Sequence, residues 1–130
     1  MKVSFDFDST LSRPIIQKYA QELINKGIEV WICTSRVDDE EALKRWKLSG
    51  HNDDLFLVAA ELKIPRERII FTNYNNKVDF LRDKNFIWHL DDDVIELSFF
   101  KGEKTTGISC YATTTWKEKC EKLLNSATKR

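Results

Sequence analysis

Val3-Ser4-Phe5-Asp6-Phe7-Asp8-Ser9-Thr10 decides how the rest of the chain is read: a short apolar strand runs straight into carboxylates and turn formers. A first strand is therefore expected to deliver Asp6 and Asp8 to its C-terminal end. Outward from it, Pro14 suits a first helical turn, and Ile15, Ile16, Tyr19, Ala20, Leu23 and Ile24 recur at helical spacing before Gly27. Val30-Trp31-Ile32-Cys33 reads as a strand covered on both faces and ends in Thr34-Ser35-Arg36. Asp38 and Glu41 form a capping box for a helix with Ala42, Leu43 and Trp46 as its buried stripe and Gly50 as its stop. A further helix is expected from about Asp54 to Lys63, broken by Pro65.

Ile69-Ile70-Phe71 is the third strand, and the polar loop Thr72-Asn73-Tyr74-Asn75-Asn76 is placed to cap a helix with Lys77 in its first turn. Phe86-Ile87-Trp88-His89-Leu90 is the fourth strand and runs directly into Asp91-Asp92-Asp93. A short helix from Val94 to Phe100, a fifth strand from Ile108 to Tyr111 and a final helix opened by Thr115 and Glu118 complete the series. Strands alternating with helices over short connections imply an α/β fold: a small, doubly wound, Rossmann-like sheet of five parallel strands with helices on both faces. Residues 1–130 make one domain, because a chain this short has no room for a second core.

Composition narrows the function classes. With 21 basic and 21 acidic residues the formal charge is zero, which argues against a polybasic coat for nucleic acid or membrane. The longest apolar run, Leu55 to Ala60, is far short of a membrane span, so no membrane partner is expected. Nothing before the first strand reads as a secretory segment. Cys33, Cys110 and Cys120 are odd in number and form no C-x-x-C pair, so neither a disulfide framework nor a cysteine zinc site is indicated and a reducing cytoplasm fits.

Ligands of open parallel sheets bind at the carboxyl ends of the strands, and here that edge gathers Asp6, Asp8, Thr34, Ser35, Thr72, Asn73, Asp91, Asp92 and Thr113. With strands one and four adjacent, Asp6 and Asp8 face Asp91 and Asp92. Like charges that close need protons or a counter-cation. Oxygen ligands without paired histidine or cysteine favour a hard ion, Mg2+. Thr34 adds a hydroxyl and Lys77 an ammonium, which together with a metal is what a phosphoryl group needs.

Phe5-Asp6-Phe7-Asp8-Ser9-Thr10-Leu11 resembles the D-x-D-x-T first motif of the haloacid dehalogenase (HAD) superfamily of phosphatases. Thr34, Lys77 and Leu90-Asp91-Asp92 match its second, third and fourth motifs in order, so the resemblance spans essentially the whole chain. It implies a phosphoric monoester hydrolase in which Asp6 is the nucleophile and forms an aspartyl-phosphate, and Asp8 serves as acid and then base. Mg2+ would be held by Asp6, the carbonyl of Asp8 and Asp92, with Asp91 in support, while Thr34, Ser35 and Lys77 bind the phosphoryl oxygens. Only Leu11 to Arg13 separate the first motif from Pro14, and the stretch from Arg36 to Lys77 is taken up by two helices and a strand, so no cap domain is expected. An uncapped site suits a phosphorylated small molecule or a bulky phosphoester such as a nucleotide or nucleic-acid end, and no obligate protein partner is implied. Arg36 after Thr34-Ser35 resembles the T-G-R pattern of polynucleotide-end and nucleotide phosphatases, which makes it a substrate-binding candidate.

Plainer readings stand beside these. Asp is a common strand-end turn former, Asp93 suits a helix N-terminus, and His89 reads as a hydrogen-bonded strand histidine. The tryptophans and Cys33 read as core. Two other functions remain open. One is a phosphate- and metal-binding module without turnover. The other is a receiver-type phospho-acceptor domain, disfavoured because the third strand here ends in Thr72-Asn73 rather than in the acceptor aspartate.

Overall fold

The computed structural model describes residues 1–111 and 114–128. Its centre is a parallel five-stranded sheet in the order β3-β2-β1-β4-β5, formed by β1 (Lys2–Phe5), β2 (Glu29–Thr34), β3 (Ile69–Phe71), β4 (Phe86–Asp91) and β5 (Thr106–Ser109). Among the described residues six α-helices accompany it: α1 (Pro14–Asn25), α2 (Asp39–Trp46), α3 (Asp53–Glu61), α4 (Val78–Leu81), α5 (Val94–Ser98) and α6 (Trp116–Thr128). None of the described helices is long and apolar enough to cross a membrane.

The core forms on both sheet faces, as alternation along each strand dictates. Val3 and Phe5 of β1 pack with Val30, Ile32, Trp88 and Leu90 against the apolar stripes of α1, α3 and α6. Trp88 is fully buried, meets Phe5 edge-on at 5.3 Å and donates its indole N–H to the carbonyl of Cys120. Burying such a side chain contributes about 1.5–3 kcal/mol. On the opposite face Cys33 packs with Val78, Leu81, Phe86 and Phe100 from the α4 and α5 side. Both faces are covered, as continuous apolar strands require.

Four local expectations are corrected. The α2 helix stops at Trp46, where Lys47 turns left-handed, rather than at Gly50. Only Ala42 of its apolar stripe is buried; Leu43 and Trp46 are 56% and 42% exposed, because this short helix offers little to the sheet. No side chain of the loop 72–76 caps α4; Lys77 itself is the N-cap. The last strand begins two residues early, at Thr106, and includes Gly107. A side chain at Gly107 would come within 2.9 Å of Leu97 Cδ2 and 3.2 Å of Phe100 Cβ, so the glycine admits α5 against the sheet.

One irregularity governs the site. Lys2 pairs with Phe86 but Ser4 pairs with His89, so β4 carries one extra residue in between. Side chains alternate with a period of two, so this bulge inverts which face the rest of β4 presents. Trp88 and Leu90 turn to the α1 face, and His89 turns to the α5 face, where it stacks on Phe100 at 5.4 Å.

Candidate active site

The chain leaves β1 at Asp6 and enters a wide turn, residues 7–11, with Ser9 left-handed at φ 58°. The turn is closed by the N–H groups of Leu11 and Ser12 donating to the carbonyls of Asp6 and Phe7. It brings Thr10 back beneath Asp6. Strand order reverses between β1 and β4, and this crevice is where open α/β sheets bind ligands.

Asp6, Asp91 and Asp92 meet there, each with a carboxylate oxygen within 4.8 Å of the others'. Lys77, delivered by the start of α4, lies buried among them and donates to Asp6 Oδ1 at 2.8 Å and Asp91 Oδ2 at 2.6 Å. Its third ammonium hydrogen has no carboxylate to serve among the described residues. Burial works against the Lys77 charge, yet Asp6 and Asp91 hold its pKa above the ordinary lysine value. Burial and then the Asp91 charge push the Asp6 carboxyl well above the usual carboxylate range, against the pull of Lys77.

Behind the trio a dry relay fixes Asp91. His89 lies 2.8 Å from Asp91 through Nε2 and 2.9 Å from Ser4 Oγ through Nδ1. Burial lowers the His89 pKa, so the neutral ring donates from Nε2 to Asp91 and accepts at Nδ1 from the Ser4 hydroxyl, a tautomer assigned from these partners. Asp91 Oδ1 accepts from the N–H of Asp93 at 3.0 Å. Burial opposes the Asp91 charge, but the hydrogen bond from His89 and then Lys77 hold its pKa well below the ordinary value. Both Asp91 oxygens are thus engaged by protein donors. Asp92 is only half-buried, and its one hydrogen bond among the described residues is a 3.4 Å contact from Thr10 Oγ1. Asp92 is therefore the freer carboxylate of the pair.

The other expected residues divide. Thr34 is buried at the end of β2 and accepts the N–H of Arg36 at 3.2 Å. The carbonyls of Ser35 and Arg36 accept from the N–H groups of Tyr74 and Asn73, which ties the loop before Lys77 to the loop after β2. Thr72 is buried beside them. Asp93 caps α5 by accepting from Ile95 at 2.9 Å, as its position implies. Asp8 was expected beside Asp91 and Asp92, but it is not among the carboxylates that cluster there. The turn has inserted an extended residue there, and its carboxylate pairs with Arg36 through contacts of 2.7 and 3.0 Å. Arg36 correspondingly gives its guanidinium to protein carboxylates rather than to open space. Thr113 lies outside the described residues.

Three participants were missed. Thr10 Oγ1 lies 3.2 Å from Asp6 Oδ2 and within reach of Asp92, so its one hydrogen ties the first strand to the fourth. Its place four residues after Asp6 in the D-x-D-x-T motif was the available signal. Ser4, and Asp54, which accepts from Arg36 Nη1 at 2.8 Å, carried none, since the first reads as strand and the second as a helix start.

No protein-family model and no curated protein matches this chain.

Proposed function

We propose that this protein is a Mg2+-dependent phosphomonoesterase of the HAD type that works through an aspartyl-phosphate on Asp6. The observation that carries the reading is the meeting of Asp6, Asp91 and Asp92 around Lys77 at the reversal point of the sheet. The donor set fits a hard divalent ion: it is all oxygen, and three carboxylates stand against one ammonium. Asp6, Asp92 and the Asp8 carbonyl would hold Mg2+, with Asp91 in support; when bound, the ion offsets charge between nucleophile and phosphate.

The chain's own residues supply the rest. The Asp6 carboxylate attacks phosphorus as the bond to the leaving oxygen breaks, and the Asp8 carboxyl gives that oxygen its proton. Water then attacks the phosphorus on Asp6, gives its proton to Asp8, and the bond to Asp6 breaks to release phosphate. Lys77 and the Thr34 hydroxyl donate to the phosphoryl oxygens, and the Ser35 segment backs them. The exposed Asp8 side chain supports an open site and hence a bulky phosphoester, such as a nucleotide or nucleic-acid end. Three free, buried cysteines agree with a reducing cytoplasm.

The carboxylates that meet at the edge are Asp6, Asp91 and Asp92 without Asp8, which favours the second reading, a phosphate-binding module without turnover. The receiver alternative loses ground, since receiver sheets run 2-1-3-4-5 and this one runs 3-2-1-4-5. Hydrolysis of 4-nitrophenyl phosphate with and without Mg2+ decides between the first two. Metal-dependent turnover that Asp6→Asn abolishes supports the phosphatase, and no turnover by the natural protein leaves the binding module.

A further inference from the structure

Arg36 spends every N–H it has. Nε and Nη2 donate to the two oxygens of Asp8 at 3.0 and 2.7 Å, and Nη1 and Nη2 donate to the two oxygens of Asp54 at 2.8 and 3.0 Å. The remaining Nη1 hydrogen points to Asn52 Oδ1 at 3.4 Å, and the guanidinium lies 5.0 Å from the centre of the Phe7 ring. Five donors is the full complement of a guanidinium. Its side chain is 18% exposed, between carboxylates that are 56% and 61% exposed.

The far side of this fork is anchored. Asn52 is fully buried and donates from Nδ2 to the Val37 carbonyl at 2.9 Å and to Asp39 Oδ1 at 2.8 Å. Asp54 Oδ1 also accepts from the N–H of Leu55 in the first turn of α3. Arg36 is therefore held from α3 and holds Asp8 in turn. An exposed turn carboxylate would otherwise sample several rotamers.

Resting on the phosphatase reading, we propose that Arg36 and Asp54 are positioning residues that fix the Asp8 carboxyl for proton transfer, and that Arg36 does not bind substrate. A carboxylate has about four lone-pair sites, so each Asp8 oxygen keeps one directed away from the guanidinium. The Asp8 side chain is 56% exposed, so a leaving-group oxygen or a water can reach those sites. Placement matters most where the leaving group needs its proton most, because a stable phenolate departs with little help.

The test compares phenyl phosphate, a poor leaving group, with 4-nitrophenyl phosphate, a good one of similar size, in the natural protein, Asp54→Asn and Arg36→Lys. Asparagine keeps the helix-start acceptor at 54, and lysine keeps the charge at 36 without the planar fork. Both variants are expected to lose kcat on phenyl phosphate on the order of tenfold, with KM unchanged and less than about twofold loss on 4-nitrophenyl phosphate. Equal losses on both esters, a rise in KM alone, or full activity of Arg36→Lys overturns the proposal. A natural protein that turns over neither ester overturns the phosphatase reading and this inference with it, whereas an active natural protein with unaffected variants overturns only the inference.

Discussion

Two ionic clusters sit at the same sheet edge, and their surroundings make them opposites. Lys77, Asp6, Asp91 and His89 form a dry cluster, each buried, with the cation bridging β1 and β4. Arg36, Asp8 and Asp54 form a wet one, a forked cation between two exposed carboxylates. The pairing chemistry is alike, but only the Arg36 cluster has carboxylates exposed to solvent. A buried charge that loses its partner cannot be rescued by solvent, whereas an exposed one is simply rehydrated. The dry cluster therefore bears on whether the edge folds at all, and the wet cluster bears on where one side chain points.

Breaking the dry cluster gives the largest expected effect. Lys77→Met fills a similar volume but leaves Asp6 and Asp91 without their cation, at an expected cost of about 3–5 kcal/mol in urea unfolding. Against the 5–15 kcal/mol typical of a domain, that places the variant near the limit of stability. A loss below about 1 kcal/mol would show that the cluster is hydrated in solution.

A titration sharpens the contrast at intermediate size. Burial pushes the Tyr19 hydroxyl and the Cys33 and Cys120 thiols above their ordinary values, with Glu121 adding to the rise at Tyr19 and Cys120. Groups raised in the folded state hold their protons longer than the unfolded chain does. Their stabilisation is complete below the unfolded pKa values and is lost as pH rises through about 8.5 to 10 and beyond. The urea midpoint is expected to stay level from about pH 7 to 8 and to fall above about pH 9. A midpoint that stays level at pH 10 contradicts the burial of these groups.

Breaking the wet cluster has the smallest effect on stability. Arg36→Gln is expected to change unfolding by about 1 kcal/mol or less, since its partners are solvated. The hydrogen bonds from Arg36 lower the pKa of Asp54, so that contribution is present above the ordinary carboxylate value and fades as pH falls through and below about 4. A cost as large as that of Lys77→Met would erase the distinction between the two regions.

Much of this edge was legible in the sequence, because strand ends announce themselves. Asp6, Thr34 and Asp91 each follow an apolar run, and the order of strands and helices implies the parallel sheet on which they converge. Lys77 was placed by its helix start. The bulge in β4 was not legible, since an extra residue between Phe86 and His89 changes no residue type while inverting which face His89 presents. The Arg36 fork escaped because its partners lie 28 residues before it and 18 after it. Leu43 and Trp46 misled for a different reason: helical spacing reports an apolar face, but not whether anything packs on it.

The most direct test of the account is to find the phosphorylated residue. The protein is mixed with 4-nitrophenyl phosphate and Mg2+, quenched in acid, and reduced with borohydride so that mass spectrometry marks any acyl phosphate. The account predicts the mark on Asp6 and on no other aspartate. Turnover with Asp6 unmarked, or a mark on Asp8, Asp91 or Asp92, contradicts it.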